Sequence, residues 1–351
     1  PIRRCESTID MVQGPVSMKH GPLDLEIRRI VTDSDLDGVV TAAILRRWWK
    51  GAEIVFGHPG ELRAGLFDDK MDRWTAICDL PSHPECGLNI DHHQSNRPED
   101  VDAGGPVVIW KEAPSAARIA FDLLSNRVDL SDLVDLLYWV DKLDGGGVSR
   151  EEYLAEVPAL LLSWAIDGEE KAAMTVLESL QKGVPVDGVL ANPEISAIVE
   201  ERREQKRTLN RVIRNRMRIV DRLAIVRLEG MGVRSNGYQV TAMAGDECDA
   251  CIVIHGNVGA SFGGERGYPV SASFYTNSFL HPNGGIFDLT LLATSFDKEG
   301  GGHANACGCR IKPIRDLSIE ERVVSVDDIE NNISAWLDIW AERKSEDFQQ
   351  V

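Results

Sequence analysis

Four acid-rich clusters, each close behind a short apolar run, place the strongest constraint on how this chain folds. They are TDSDLDG (32–38), CDLPSH (78–83), IDHHQSN (90–96) and WVDKLDGG (139–146). Short apolar runs predict buried strands. In open α/β sheets, ligands bind at the carboxyl ends of the strands. We therefore predict that Asp and His side chains from the four clusters meet at one sheet edge and hold metal ions there.

The order of apolar runs predicts an α/β fold that begins with a parallel sheet. From Arg28, strand-like and helix-like runs alternate as IRRIVTD, VTAAILRRWWKG, EIVFG, WTAICD, GLNID, PVVIW and SAARIAFDLLSN. Such alternation is typical of a parallel sheet with helices on both faces. Ser115 is the predicted N-cap of the last helix in this series.

A second α/β unit is predicted after a long connecting helix. The strand candidates are LAIVRL, YQVTAMA, CDACIVIHG and YPVSASFYT, and GGIFDLTLLATSF predicts a turn into a helix. An amphipathic helix near the end carries Ile329, Ile333, Trp336, Leu337 and Trp340 on one face. We predict a catalytic domain over 1–190, a connecting helix over 191–222 and a smaller mixed-sheet domain over 223–351, with the active site in the cleft between the domains.

The connecting segment is basic although the chain as a whole is acidic. Its helical pattern runs from Glu194 to Val220 and carries eight basic residues, namely Arg202, Arg203, Lys206, Arg207, Arg211, Arg214, Arg216 and Arg218. Two interpretations stay open, a solvated connecting helix and a rail for a polyanionic substrate.

Composition limits the classes of function. The chain has 351 residues and a formal net charge of −18, which argues against a protein that coats long nucleic acid. It has no apolar run long enough to cross a bilayer, so we expect a cytoplasmic protein with no membrane partner. Its seven scattered cysteines favour reduced thiols. Whether Cys248, Cys251, Cys307 and Cys309 have a role, such as joining as zinc ligands, is left open.

The residue types of the four clusters favour hard divalent cations. Carboxylates with one or two imidazoles suit Mn²⁺ or Mg²⁺ better than structural zinc. Two such ions can stabilise the entering and leaving oxygens of an in-line attack on phosphorus. The chemistry predicted from the residues is phosphoester hydrolysis.

In their order, TDSDLDGVVTAAI, ICDLP, IDHHQSN and WVDKLDGG resemble the four motifs of the DHH phosphoesterase superfamily. GGIFDLTLLATSFDKEGGGHANACG resembles the glycine-rich end of the substrate-binding domain associated with it. That superfamily includes RecJ-type exonucleases, nanoRNases, phosphatases of 3'-phosphoadenosine 5'-phosphate, cyclic-dinucleotide phosphodiesterases and polyphosphate hydrolases.

The resemblance implies roles for individual residues around two Mn²⁺ or Mg²⁺ ions. Asp33 and Asp35 would hold one ion, Asp37, His92 and Asp141 the other, and Asp79 would bridge them. His93 would face the scissile phosphate, and Asp91 would orient the histidines. Asp144 is the rival of Asp141 as a ligand. The substrate phosphate would meet Gly300, Gly301, Gly302 and His303. Arg266 and Lys298 are candidate sources of positive charge because they lie near this region and VSASFYTN in the sequence.

Two departures from the family pattern bear on the substrate. Asp33 stands where many members have a histidine, which makes the site more negative. VSASFYTN lacks the arginine with which relatives grip a phosphate, and Phe274 or Tyr275 could instead stack on a base.

Three hypotheses follow. The first is a two-metal phosphodiesterase that acts on short or single-stranded nucleic acid. The second is a hydrolase of small phosphate compounds, and the third is a catalytically silent nucleotide-binding protein. The partners expected are an oligonucleotide or nucleotide phosphate substrate, and a homodimer is kept as a hypothesis.

Overall fold

The structure is a computed structural model, which describes residues 21–98, 105–261 and 267–344. The described chain forms two compact units. The first contains the residues up to Gly147 together with Glu156–Arg202, and the second contains Val148–Ala155 and the residues from Arg203 onward.

The first unit is built on a five-stranded parallel sheet. Its strands are β1 (Arg29–Thr32), β2 (Glu53–Phe56), β3 (Thr75–Cys78), β4 (Leu88–Asp91) and β5 (Val107–Trp110). Its helices are α1 (Leu36–Trp48), α2 (Pro59–Arg63), α3 (Ala116–Leu124), α4 (Val134–Asp144), α6 (Pro158–Ile166), α7 (Glu170–Gln181) and α8 (Val186–Leu190), while α5 (Arg150–Leu154) belongs to the second unit.

Both faces of this sheet are covered, as the alternating runs predict. The strand order is β2-β1-β3-β4-β5, and all four pairings are parallel. Ile30 and Ile90 face a large core that includes residues of α1, α3 and α7, whereas Val31 and Ile77 face a smaller core with Leu62. Because successive strand residues point to opposite faces, strands buried on both sides read as continuous apolar runs.

The second unit contains a mixed six-stranded sheet. The helix α9 (Pro193–Arg216) enters it and is followed by β6 (Met217–Val220), β7 (Leu223–Arg227), α10 (Gly237–Ala244), β8 (Ala250–His255), β9 (Ser271–Thr276), α11 (Thr290–Thr294), β10 (Gly301–His303), β11 (Ala306–Arg310), β12 (Ile314–Arg315), β13 (Ser318–Ile319) and α12 (Val326–Glu342). The strand order is β10-β11-β9-β8-β7-β6, and β7 pairs with β8 in parallel. Ile329, Ile333, Trp336 and Trp340 of α12 are buried in the core on one face of this sheet, as their spacing predicts.

Three predicted elements differ from the structure. WVDKLDGG does not follow a strand, because most of it lies in α4. YQVTAMA is not a strand but belongs to α10, where Asn236 caps the helix by accepting a hydrogen bond from the Gln239 N–H at 3.1 Å. The long helix ends at Arg216, and the chain continues as β6 instead of staying helical to Val220.

None of the helices within the described ranges combines the length and the apolarity that a bilayer crossing needs.

Candidate metal centre

The turn from β1 into α1 brings three aspartates to the end of the parallel sheet. Asp35 caps α1 by accepting a hydrogen bond from the Gly38 N–H at 2.9 Å, and Asp33 accepts one from the Ser34 N–H at 2.6 Å. A Cβ on Gly38 would lie 2.3 Å from the Asp33 carbonyl oxygen. Only glycine therefore allows a turn this tight.

Asp37 is buried at the N-terminus of a second helix. Its two carboxylate oxygens accept hydrogen bonds from the N–H groups of Ala116 and Ala117, both at 2.7 Å, at the start of α3. The unpaired N–H groups and the dipole of a helix N-terminus favour a carboxylate there. Ser115 caps α3 as predicted, accepting a hydrogen bond from the Arg118 N–H at 3.0 Å.

His92 points one ring nitrogen at a group of carboxylates. Its Nδ1 lies 3.1 Å from the carbonyl oxygen of Ala113, which fixes the ring and assigns the Nδ1 proton. Its Nε2 lies 3.1 Å from Asp144 Oδ2 and 3.6 Å from both Asp37 Oδ2 and Asp79 Oδ1. Nε2 is buried and makes no hydrogen bond of ordinary geometry. It is available as a ligand atom.

Asp79 adds a second buried atom without a hydrogen-bond partner. Its Oδ1 makes no hydrogen bond, although the side chain is almost fully enclosed. Its backbone has φ of 59°, a conformation that costs energy for a residue other than glycine. Buried polar atoms are normally satisfied, so two such atoms 3.6 Å apart fit a site for a cation.

Burial, followed by mutual repulsion, raises the pKa values of Asp37 and Asp79. Burial, followed by the negative charges of Asp144 and Asp35, raises the pKa of Asp37 to about 7, although two N–H groups oppose the rise. Burial and the charges of Asp37 and Asp35 hold the pKa of Asp79 well above its usual range. Burial lowers the pKa of His92, but the carboxylate of Asp144 beside its ring and the negative charge of Asp37 outweigh that effect and raise the pKa to about 9. A dication would relieve this excess of negative charge.

Within the described part of the chain, two sets of side chains have ligand atoms close enough together to share an ion. One set is Asp37, His92 and Asp144, and the other is Asp79, His92 and His93. The donors are oxygen and imidazole nitrogen, which suit Mn²⁺ or Mg²⁺.

Asp91 forms a hydrogen bond with the His93 ring. Asp91 is fully buried, and its Oδ1 lies 2.8 Å from His93 Nδ1 and accepts hydrogen bonds from the N–H groups of His92 and His93. Asn96 donates to its Oδ2 at 2.7 Å. The hydrogen bond to Asp91 raises the pKa of His93, against the effect of burial. With Nδ1 engaged, His93 presents Nε2, and 44% of its side-chain surface is exposed.

Asp141 and Asp144 lie in different environments. Asp141 accepts hydrogen bonds from Ser115 Oγ at 2.7 Å and from Arg118 Nε at 2.9 Å, and its carboxylate forms an ion pair with Arg118. Asp144, one turn later on α4, is the residue that reaches His92. The sequence does not decide whether Asp141 or Asp144 is the metal ligand, because Arg118, the ion-pair partner of Asp141, lies on another helix.

The predicted substrate-binding residues lie at an edge of the second sheet. Gly301, Gly302 and His303 form the edge strand β10, with His303 exposed, and Gly300 precedes it. Edge strands present backbone N–H and C=O groups that pair with no other strand. Lys298 is exposed two residues before Gly300. Arg266 lies outside the described residues.

Phe274 does not stack on a ligand, because it is buried with its ring edge-on to Trp336 at 5.0 Å. Tyr275 is partly exposed on the opposite face of β9.

The cysteines of the second unit lie on opposite faces of its sheet. Cys248 and Cys251 lie in one core and Cys307 in the core on the other face of the sheet, so these thiols do not form one zinc site.

The basic helix is partly neutralised by its neighbours. Arg202 lies 3.8 Å from Glu169, and Arg207 lies 3.3 Å from Glu204. Arg211 and Arg214 are exposed. Ion pairs of this kind are typical of a solvated helix. They do not support the alternative interpretation, in which the helix binds a polyanionic substrate.

Solved structures with a similar fold are known. The chain is similar to the pGpG-specific phosphodiesterase PggH from Vibrio cholerae, with 21% identity, a TM-score of 0.69 and coverage of 89% of this chain and 98% of that one. The chain shares its fold with that protein. A manganese-bound RecJ exonuclease also matches, at 16% identity and a TM-score of 0.47 over 92% of both chains. No family model and no curated protein matches the sequence.

Proposed function

We propose that this chain is a metal-dependent phosphodiesterase that cleaves short oligonucleotides, including linear dinucleotides. The carrying observation is the convergence of Asp79 Oδ1 and His92 Nε2, two buried atoms without hydrogen bonds, beside Asp37 and Asp144 at the carboxyl ends of β1, β3 and β4. The fold shared with a dinucleotide phosphodiesterase supports the same reaction class.

The distances to His92 Nε2 support Asp37, Asp79 and Asp144 as its fellow ligands for Mn²⁺ or Mg²⁺. Asp35, on the same turn as Asp37, would complete the ligand set, with Asp33 beside it. Bound there, the ions would supply the positive charge that stabilises the phosphate in the transition state. Asp141, held by Arg118, would instead fix the N-terminus of α3, which in turn holds Asp37.

His93 has the geometry of a positioning and hydrogen-bonding group for the substrate. Asp91 fixes the ring through Nδ1, so Nε2, on the far side of the ring, does not contact Asp91. We expect Nε2–H to donate to a phosphate oxygen of the substrate. Oriented donors of this kind act where charge develops during the reaction.

A substrate panel with matched variants tests the proposal. The panel contains a linear dinucleotide, a longer single strand, bis(p-nitrophenyl) phosphate, 3'-phosphoadenosine 5'-phosphate and polyphosphate, each with Mn²⁺, with Mg²⁺ and with EDTA. We expect cleavage of the dinucleotide and of the base-free diester with metal only. Asp79→Asn should reduce both rates by at least about 100-fold, whereas Asp122→Asn, an exposed acid on α3, should not.

Two results would reject the proposal. If no phosphodiester is cleaved with either ion, the chain is not a phosphodiesterase. If only polyphosphate or the bisphosphate is cleaved, the hydrolase of small phosphate compounds is the correct hypothesis.

A further inference from the structure

An arginine stacked on a tryptophan lies beside the candidate metal centre, within the first unit. The Arg97 guanidinium carbon lies 5.1 Å from the centre of the Trp110 ring. Arg97 ends the short turn that follows His93, and Trp110 is the last residue of β5. Trp110 pairs in register with Asp91, the last residue of β4. The stacked pair is therefore at the same edge of the parallel sheet as the proposed metal ligands.

Hydrogen bonds join this pair directly to His93. Trp110 Nε1 donates to the carbonyl oxygen of His93 at 2.9 Å. Asn96, the residue before Arg97, donates through its side chain to Asp91 Oδ2 at 2.7 Å, and the other oxygen of Asp91 lies 2.8 Å from His93 Nδ1. The contacts that hold His93 thus also hold the residue before Arg97 and the ring beneath its guanidinium. A side chain supported in this way loses less entropy when it binds a ligand.

The charge of Arg97 is not neutralised by the described residues. Its side chain is exposed, and its guanidinium forms no ion pair with any carboxylate in the described part of the chain. Arg118, near the start of α3, differs because Asp141 pairs with it. Stacking on tryptophan holds a guanidinium in place and leaves its N–H edges free to bind an anion. Phosphate is the anion that matches the planar fork of these N–H groups.

We infer that Arg97 binds a second phosphate of the substrate, next to the phosphate that is cleaved. The inference rests on the proposed function, in which the metal ions and His93 Nε2 hold the phosphate that is cleaved. Arg97 lies over the face of the indole, whereas the His93 carbonyl meets its edge, so the two residues contact different parts of the ring. In a linear dinucleotide, the only phosphate besides the bridging one is terminal. Arg97 therefore selects dinucleotides that carry a terminal phosphate.

Dinucleotides that differ only in a terminal phosphate test this assignment. One carries a 5'-phosphate, one a 3'-phosphate and one neither. For Arg97→Ala we expect the KM of one phosphorylated dinucleotide to rise about 10- to 150-fold, which corresponds to the loss of hydrogen bonds to a charged group. The KM of the unphosphorylated dinucleotide should stay within about twofold. Arg97→Lys keeps the charge without the planar fork and should lose less. Arg127→Ala, which removes an exposed arginine just after α3, should change none of these constants.

Binding measured without cleavage separates failure of this assignment from failure of the proposed function. In methylenephosphonate analogues of the three dinucleotides, a CH₂ group replaces the bridging oxygen that would leave, so the analogues bind without being cleaved. With Mn²⁺ present, calorimetry should show that the wild type binds one phosphorylated analogue at least about tenfold more tightly than the unphosphorylated one, and that Arg97→Ala loses this difference. That result supports the role of Arg97 even if no phosphodiester is cleaved. No preference by the wild type, an equal loss by Arg97→Ala on all three analogues, or the same loss with Arg127→Ala would overturn the assignment.

Discussion

At the scale of single residues, we expect substitution of Asp144 to weaken metal binding and substitution of Asp141 to lower stability. For Asp144→Asn we expect the Mn²⁺ dissociation constant to rise by at least about tenfold, and phosphodiesterase activity to fall by about 100-fold or more, because the carboxylate that faces His92 Nε2 is lost. For Asp141→Asn we expect a loss of roughly 1 to 2 kcal/mol in the free energy of unfolding, through its bonds to Ser115 and Arg118.

Metal titration followed by calorimetry, together with denaturant unfolding of both variants, measures these effects. If Asp141→Asn loses the metal and Asp144→Asn keeps it, the ligand assignment is reversed.

The same residues show what the sequence could predict of the site. The proximity of Asp37, Asp79 and His92 can be predicted from the sequence, because each lies at or just after the end of a strand in one parallel sheet. The order of the motifs does not show which of Asp141 and Asp144, almost one turn apart on α4, is the metal ligand. That distinction depends on Arg118, a partner on another helix whose position no local pattern encodes.

At the scale of elements, the turn between β1 and α1 is the part of the site most sensitive to volume. For Gly38→Ala we expect about 1 to 3 kcal/mol of destabilisation, because the added Cβ would meet the Asp33 backbone at 2.3 Å and no flexible side chain can move aside. Mn²⁺ affinity should fall with it, since Asp35 caps this helix. Gly60→Ala in α2 is the matched control, because a Cβ there has nothing within 4 Å. Thermal unfolding with and without Mn²⁺ measures both effects, and equal behaviour of the two variants would contradict the account.

Helices and strands can be predicted from the sequence where the apolar pattern fits one period only. In α10 the pattern fits both periods, and the prediction of a strand is wrong. YQVTAMA contains β-favouring residues in a short run that fits either period. Its helical state depends on the Asn236 cap and on the close contact of Gly237 with Tyr275 of β9. Both the cap and the glycine are visible in the sequence, but the tyrosine that requires the glycine lies 38 residues further along.

At the scale of the whole molecule, metal binding should stabilise one unit and not the other. All the proposed ligands belong to the first unit, and a ligand that binds only the folded state adds RT ln(1 + [L]/Kd) to the free energy of unfolding. At 100 times the dissociation constant, this is about 2.7 kcal/mol. We expect Mn²⁺ to slow amide hydrogen exchange at the ends of β1, β3 and β4 and at the starts of α1 and α3, while β7, β8 and β9 keep their rates. Asp79→Asn should abolish the difference. Uniform protection of both sheets, or the same protection in Asp79→Asn, would show that Mn²⁺ binds elsewhere.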